Sequence, residues 1–143
     1  MEYKVCGDKV VVRIDRGEEI VEQVKAVCEA EGIKLAEVSA LGAINRMEIG
    51  VFMTDIKKYK ANFFEGYYEI VSLWGTVTTK DGEFYSHLHM SAGDENGKVV
   101  GGHLTKAWVS ATCEMVITKM EGVVERSFND DVGLNLFDFR KGA

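Results

Sequence analysis

Proline is absent from this chain of 143 residues. Without it there is no polyproline segment, no proline-stiffened linker and no motif that requires the residue. Cysteine is scarce. The three, Cys6, Cys28 and Cys113, lie far apart and form no C-x-x-C pair, so no disulfide framework is written here. Each stands among apolar neighbours and reads as a small buried hydrophobe. Free thiols of that kind suit a reducing cytoplasm, which is the expected location. No apolar run approaches the ~20 residues that cross a bilayer, and the opening MEYKVCGDK holds no hydrophobic stretch of signal-peptide length. Positive charge is also in deficit: 17 Lys and Arg against 23 Asp and Glu give a net charge of -6. An acidic chain is a poor non-specific partner for nucleic acid, whose affinity rests on neutralised phosphates. The basic cluster Lys57-Lys58-Tyr59-Lys60 reads as a solvated face.

What is present describes a globular protein. The hydrophobic fraction is 46% and the charged fraction 28%, enough of each for a core and a wet surface. The length suits a single domain over residues 1–143. No internal repeat or low-complexity tract divides it.

Local pattern predicts the class. Lys9 to Ile14 is short and β-branched, a strand. Glu18 to Glu31 places Ile20, Val21, Val24, Val27 and Cys28 at helical spacing, with acids crowding the first turn and Gly32 placed to stop it. Asp15 stands near the helix start as a candidate cap. Strand signals follow: Ala36–Ile44 and Met47–Thr54, joined near Asn45-Arg46, then an irregular stretch from Asp55 to Gly66. Tyr67–Thr79 is a long aromatic and β-branched strand. Asp81-Gly82 is a hairpin turn signal before a return strand, Phe84–Ala92. Trp108–Met120, Val123–Arg126 and Val132–Phe139 complete the set. The expected class is α+β: an antiparallel sheet of about seven strands, one main amphipathic helix and short helical pieces.

The three histidines concentrate the chemistry. His87 and His89 form a His-Leu-His step, and His103 closes a Gly-Gly-His. The period of two in a strand puts His87 and His89 on one face, with Cβ atoms about 6–7 Å apart, within reach of one ion. Gly101 and Gly102 allow close backbone approach or an unusual conformation where His103 must join the pair. Imidazole suits zinc, iron, nickel and copper, and three ligands with an open fourth position mark an exchangeable or catalytic site. The opposing reading treats them as ordinary polar residues of a hairpin and a loop. No H-E-x-x-H is present, so the helical metalloprotease pattern fails. Cupins also use His-x-His on a strand, but Gly82 and Glu95 sit off the usual cupin offsets, and the second cupin motif needs a proline.

The run Gly66-Tyr67-Tyr68-Glu69-Ile70-Val71-Ser72-Leu73-Trp74-Gly75 resembles the G-x-x-E-I-x-x-L-x-G stretch of the "plants and prokaryotes conserved" (PPC) domain, DUF296. His87-Leu88-His89-Met90-Ser91-Ala92-Gly93 and Gly101-Gly102-His103-Leu104 resemble its prokaryotic single-domain branch, and the likeness runs from Val10 to Phe139. The resemblance implies an α+β domain built on an antiparallel sheet and assembled as a homotrimer. It also implies a metal, zinc first, on His87, His89 and His103. Plant members join the domain to a basic AT-hook that enters the DNA minor groove. This chain has no such segment, so direct DNA binding is not carried over.

Other residues carry secondary expectations. Glu69, an acid inside an apolar strand, is the candidate general base or histidine partner, or else a solvent-facing residue paired with Arg126 or Arg13. Glu114 reads as structural. Arg126 suits a carboxylate at a subunit contact. Thr105, Lys106 and Tyr85 flank the histidines and could line their pocket, whereas Ser86 points to the opposite face. Trp74 and Trp108 read as core or interface. Three functions remain open: a metal-binding homotrimer without assigned chemistry, a metal-dependent hydrolase or lyase at the same site, and a DNA-associated or regulatory scaffold.

Overall fold

The computed structural model describes residues 1–141. Elements follow in the order β1 (Glu2–Cys6), β2 (Lys9–Asp15), α1 (Ile20–Ala30), β3 (Ala36–Met53), β4 (Lys58–Lys80), β5 (Glu83–Gly93), β6 (Val99–Lys119), β7 (Glu125–Asn129) and β8 (Leu134–Asp138). The chain is mostly sheet with one helix. Eight strands are present among the described residues rather than seven: Ala36–Ile44 and Met47–Thr54 form the single strand β3, and β1 is added, pairing with β2 through a two-residue turn at Gly7-Asp8. Every residue of β1 is exposed, so it carries no buried alternation to announce it. No short helical piece accompanies α1 among the described residues.

All strand pairings are antiparallel except one parallel contact, Thr79 with Glu125, between β4 and β7. The four long strands pair in a closed circuit: β3 with β4, β4 with β5, β5 with β6, and β6 with β3. This circuit corrects the expected breaks. Asn45-Arg46 is no turn: β3 runs through it, with register shifts near Gly42 and Arg46. Such bulges bend a strand without ending it. Likewise β4 begins at Lys58, inside the stretch expected to be irregular, and β6 runs unbroken from Val99 to Lys119. The Asp81-Gly82 turn stands as expected, with positive φ at both residues (54° and 80°) and Lys80 opposite Glu83.

The helix packs on β5 and β6 through Val24, Val27 and Cys28, all buried in one core with Val12, Leu88 and Met115. Its cap is Glu19, not Asp15. The Glu19 carboxylate accepts from Val21 N (3.1 Å) and Glu22 N (2.7 Å). It also accepts from Ala107 N of β6 at 2.9 Å, so one buried side chain caps the helix and ties it to the sheet. Asp15 instead receives the N-terminal ammonium and Arg13. At the other end Gly32 has φ +62° and Ile33 N donates to Cys28 O at 2.8 Å, closing the helix as expected. Cys28 and Cys113 are buried, and burial pushes both thiols up to about 12, which leaves them inert. Cys6 departs from expectation: it is exposed on β1, at the sheet edge. Among the described residues no helix is long and apolar enough to cross a membrane.

Candidate metal centre

Strand alternation builds the site. Leu88, Met90 and Ala92 of β5 are buried at 2%, 3% and 0% exposure, which commits that face to the core. His87 and His89 then stand on the opposite face, both exposed. β6 supplies the third ring: His103 lies directly across from His89 in the β5–β6 register. Directly opposed residues share a face and bring their Cβ atoms close. The ring centroids are 5.0 Å (His87–His89), 5.4 Å (His87–His103) and 5.7 Å (His89–His103) apart.

Glycines set the spacing. A Cβ at Gly102 would lie 2.5 Å from the Gly50 carbonyl of β3. The backbones of β3 and β6 can meet there only because Gly102 has no side chain, and His103 takes its register opposite Gly50 from that meeting. Space, rather than an unusual backbone angle, is what the Gly-Gly step provides.

The donor set fits a metal ion. One nitrogen from each ring can be chosen so that all three lie within 4.8 Å of one another. His87 Nε2 and His89 Nε2 are 3.2 Å apart. Two nitrogens on a tetrahedral zinc, each at ~2.0–2.1 Å, lie about 3.3 Å apart. Partial desolvation of the otherwise exposed ring first, then the neighbouring His103, His89 and Arg126, hold His87 down to about 4. Burial and then His89 lower His103 as well. Both rings are therefore neutral near pH 7, the form that binds a metal.

Of the neighbours named from sequence, some join the site. Thr105 Oγ1 lies 2.9 Å from the Tyr59 hydroxyl, and the Tyr59 ring meets His103 edge-on at 5.8 Å. The Tyr59 side chain reaches over Gly50: a Cβ there would be 2.6 Å from its hydroxyl. Nothing in the sequence links Tyr59 to His103, because the contact depends on β3 passing between them. Lys106 is exposed on the same outer face as His103, because β6 shifts register between Leu104 and Lys106, whereas Ser86 alternates away. Trp74 is 54% exposed rather than core. It stands across from His89 and its Nε1 donates to Glu37 Oε1 at 2.7 Å. A groove of about 210 Å³ opens there, lined by Ser72, Trp74, His89, Ser91 and the Gly101-Gly102 backbone. Trp108 is half-buried under the Arg46 guanidinium, 3.8 Å from its ring centre.

Glu69 is not brought to the histidines. It is exposed, opposite Ala43 and Gly93, four residues along β5 from His89. It pairs with neither Arg126 nor Arg13. Glu114 is exposed opposite Arg13.

The family model of the Plants and Prokaryotes Conserved (PCC) domain matches residues 1–121. The chain belongs to this family. Three solved structures show how fully the PCC fold is kept. A protein of Bacteroides thetaiotaomicron proposed to bind DNA is 31% identical over 98% of each chain, with a TM-score of 0.95. A metal-containing protein of Archaeoglobus fulgidus is 34% identical over 96% of each chain, with a TM-score of 0.87. A plant- and prokaryote-conserved protein of Pyrococcus horikoshii is 34% identical over 96% of this chain and 94% of its own, with a TM-score of 0.85. No curated protein matches the PCC chain.

Proposed function

We propose that this PCC-domain chain is a cytoplasmic metal-binding protein holding one transition-metal ion, zinc first, on His87, His89 and His103. The supporting observation is the convergence of the chain's three imidazoles on one face, with a 3.2 Å Nε2–Nε2 approach. The metal-containing relative from Archaeoglobus fulgidus, 34% identical, supports the same reading. Residues 1–143 act as one domain, and three copies assemble. A row of exposed apolar side chains along β4, Phe63, Tyr67, Val71 and Trp74, is a surface suited to that assembly.

A three-histidine set leaves a coordination position open. A bound zinc would lower the pKa of a water there and supply hydroxide near neutral pH, which favours hydrolase or lyase chemistry as the second reading. The groove beside His89 is where a substrate would enter. Glu69 lies outside it, so a proton carrier has to come from elsewhere. Direct DNA binding is the weaker third reading. The -6 charge opposes it, and the exposed Lys58 and Lys60 are a short basic cluster on an acidic chain.

Elemental analysis of the tag-free protein, beside a His87→Ala/His89→Ala/His103→Ala variant, tests the proposal. The expected result is about one transition-metal ion per chain, lost in the variant. Protein that neither carries a metal nor takes one up would overturn it. A DNA mobility shift surviving physiological salt would move the third reading to first.

A further inference from the structure

Arg126 is a buried cation with no paired anion among the described residues. It is 5% exposed, and no carboxylate pairs with it among the described residues. The neighbouring acids are committed elsewhere. Glu125 accepts from Thr79 Oγ1, Asp81 N and Gly82 N, and Asp138 accepts from Ser127 and Arg140.

The guanidinium is fixed in place. Nε donates to Thr78 Oγ1 and Nη1 to the Asn135 carbonyl, both at 2.8 Å. The rings of Tyr85 and Phe137 lie 4.7 and 4.5 Å from its carbon. Nη2 is buried and has no partner. Two neutral acceptors and two aromatic faces offset only part of the cost of burying the charge.

Its position gives the charge a use. Thr78 stands opposite Tyr85, and the next rung on the same face is Thr76 opposite His87. Arg126, held on Thr78, therefore sits one rung along the same face from His87. A metal on the histidines would add a second cation on the same face.

We propose that Arg126 and the histidine site form one centre for a small hydroxy- or oxo-carboxylate. The carboxylate faces Nη2 while the ligand's other oxygen faces the three histidines. One free Nη2 edge suits a carboxylate oxygen better than the several oxygens of a phosphate, and the -6 charge disfavours polyanions. The half-buried Tyr85 ring stands beside the guanidinium and must give way for a carboxylate to reach the buried Nη2. This inference rests on the metal reading above.

The test titrates cobalt(II)-loaded protein with pyruvate and with its neutral analogue pyruvamide, reading the visible cobalt bands. Pyruvate should bind at least about tenfold more tightly than pyruvamide. Arg126→Met should lose that preference while keeping its cobalt and its circular dichroism, and Arg126→Lys should keep part of it. Equal binding of the two probes, or full pyruvate affinity in Arg126→Met, overturns the inference. So does absence of pyruvate binding. If assembly is also lost in Arg126→Met, the arginine belongs to a contact between copies. If the wild-type protein takes up no cobalt, the metal reading fails by itself. Calorimetry of pyruvate on metal-free protein then decides the arginine alone: Arg126-dependent heat sustains a carboxylate site, and none ends it.

Discussion

His89 and His103 face each other directly across β5 and β6, with ring centres 5.7 Å apart. The pair joins two segments separated by the turn at Asp94–Gly97, and it needs only correct strand register. His103→Ala should leave the fold intact, since the ring lies outside the core. Metal affinity should fall more than about a hundredfold, beyond the 10–100-fold typical of losing a partner of a ligand. Competition with a chromophoric chelator measures it.

The approach of β3 to β6 at Gly102 is the support behind that register. Gly102→Val places atoms where the Gly50 carbonyl stands, 2.5 Å from even the first carbon. Local strand separation should follow, with metal loss before global unfolding. Amide hydrogen exchange should show lost protection at Gly50 and His103 while α1 stays protected.

The metal-free protein should weaken on mild acidification. His87 is held down to about 4 in the folded chain, against about 6.5 when unfolded. Between those values the unfolded chain binds a proton that the folded chain refuses, so stability falls as pH drops from about 6.5 to about 4. Denaturant midpoints of wild type should fall across that window, and those of His87→Asn should fall less. Parallel curves for the two proteins would remove His87 as the cause.

Glu19 should matter more to stability than any exposed acid. Its carboxylate satisfies three backbone N–H groups, two at the start of α1 and one on β6. Glu19→Ala should cost roughly 1–3 kcal/mol, the range for losing a cap and leaving buried donors unpaired. Urea unfolding measures the difference. Glu69→Ala, at an exposed position, should change stability by less than about 0.5 kcal/mol.

The row Phe63, Tyr67, Val71 and Trp74 is the predicted contact between copies. Tyr67→Glu should shift the chain toward monomer in light scattering without unfolding it, because Tyr67 is 82% exposed. A wild-type chain already monomeric at working concentration would reject the assembly.

Much of this protein is legible in its residues. Period-two alternation placed His87 and His89 on one face, because Leu88 and Met90 leave the strand no other orientation once a core exists. The helix, its stop at Gly32 and the Asp81-Gly82 hairpin follow from local conformational preferences that need no distant partner. The local pattern gave the α+β class, and the likeness of the histidine-bearing runs to a known family implied the same one.

What the residues could not announce depends on contacts between distant segments. Asn45-Arg46 looks like a turn but lies within β3, because pairing with both β4 and β6 outweighs local propensity. The strand β1 carries no buried face, so only its ladder with β2 reveals it. Glu19 was one acid among several until β6 brought Ala107 N to it. Tyr59 reaches Thr105 beside His103 only because Gly50 leaves it room. Arg126 acquired its unpaired nitrogen from the β7–β8 hairpin folding over Thr78 and Tyr85. Sequence period fixes which way a side chain points, since that is a property of the backbone alone. Which residues then meet is settled by the closed circuit of long strands, a balance of many pairings that no single stretch of the chain contains.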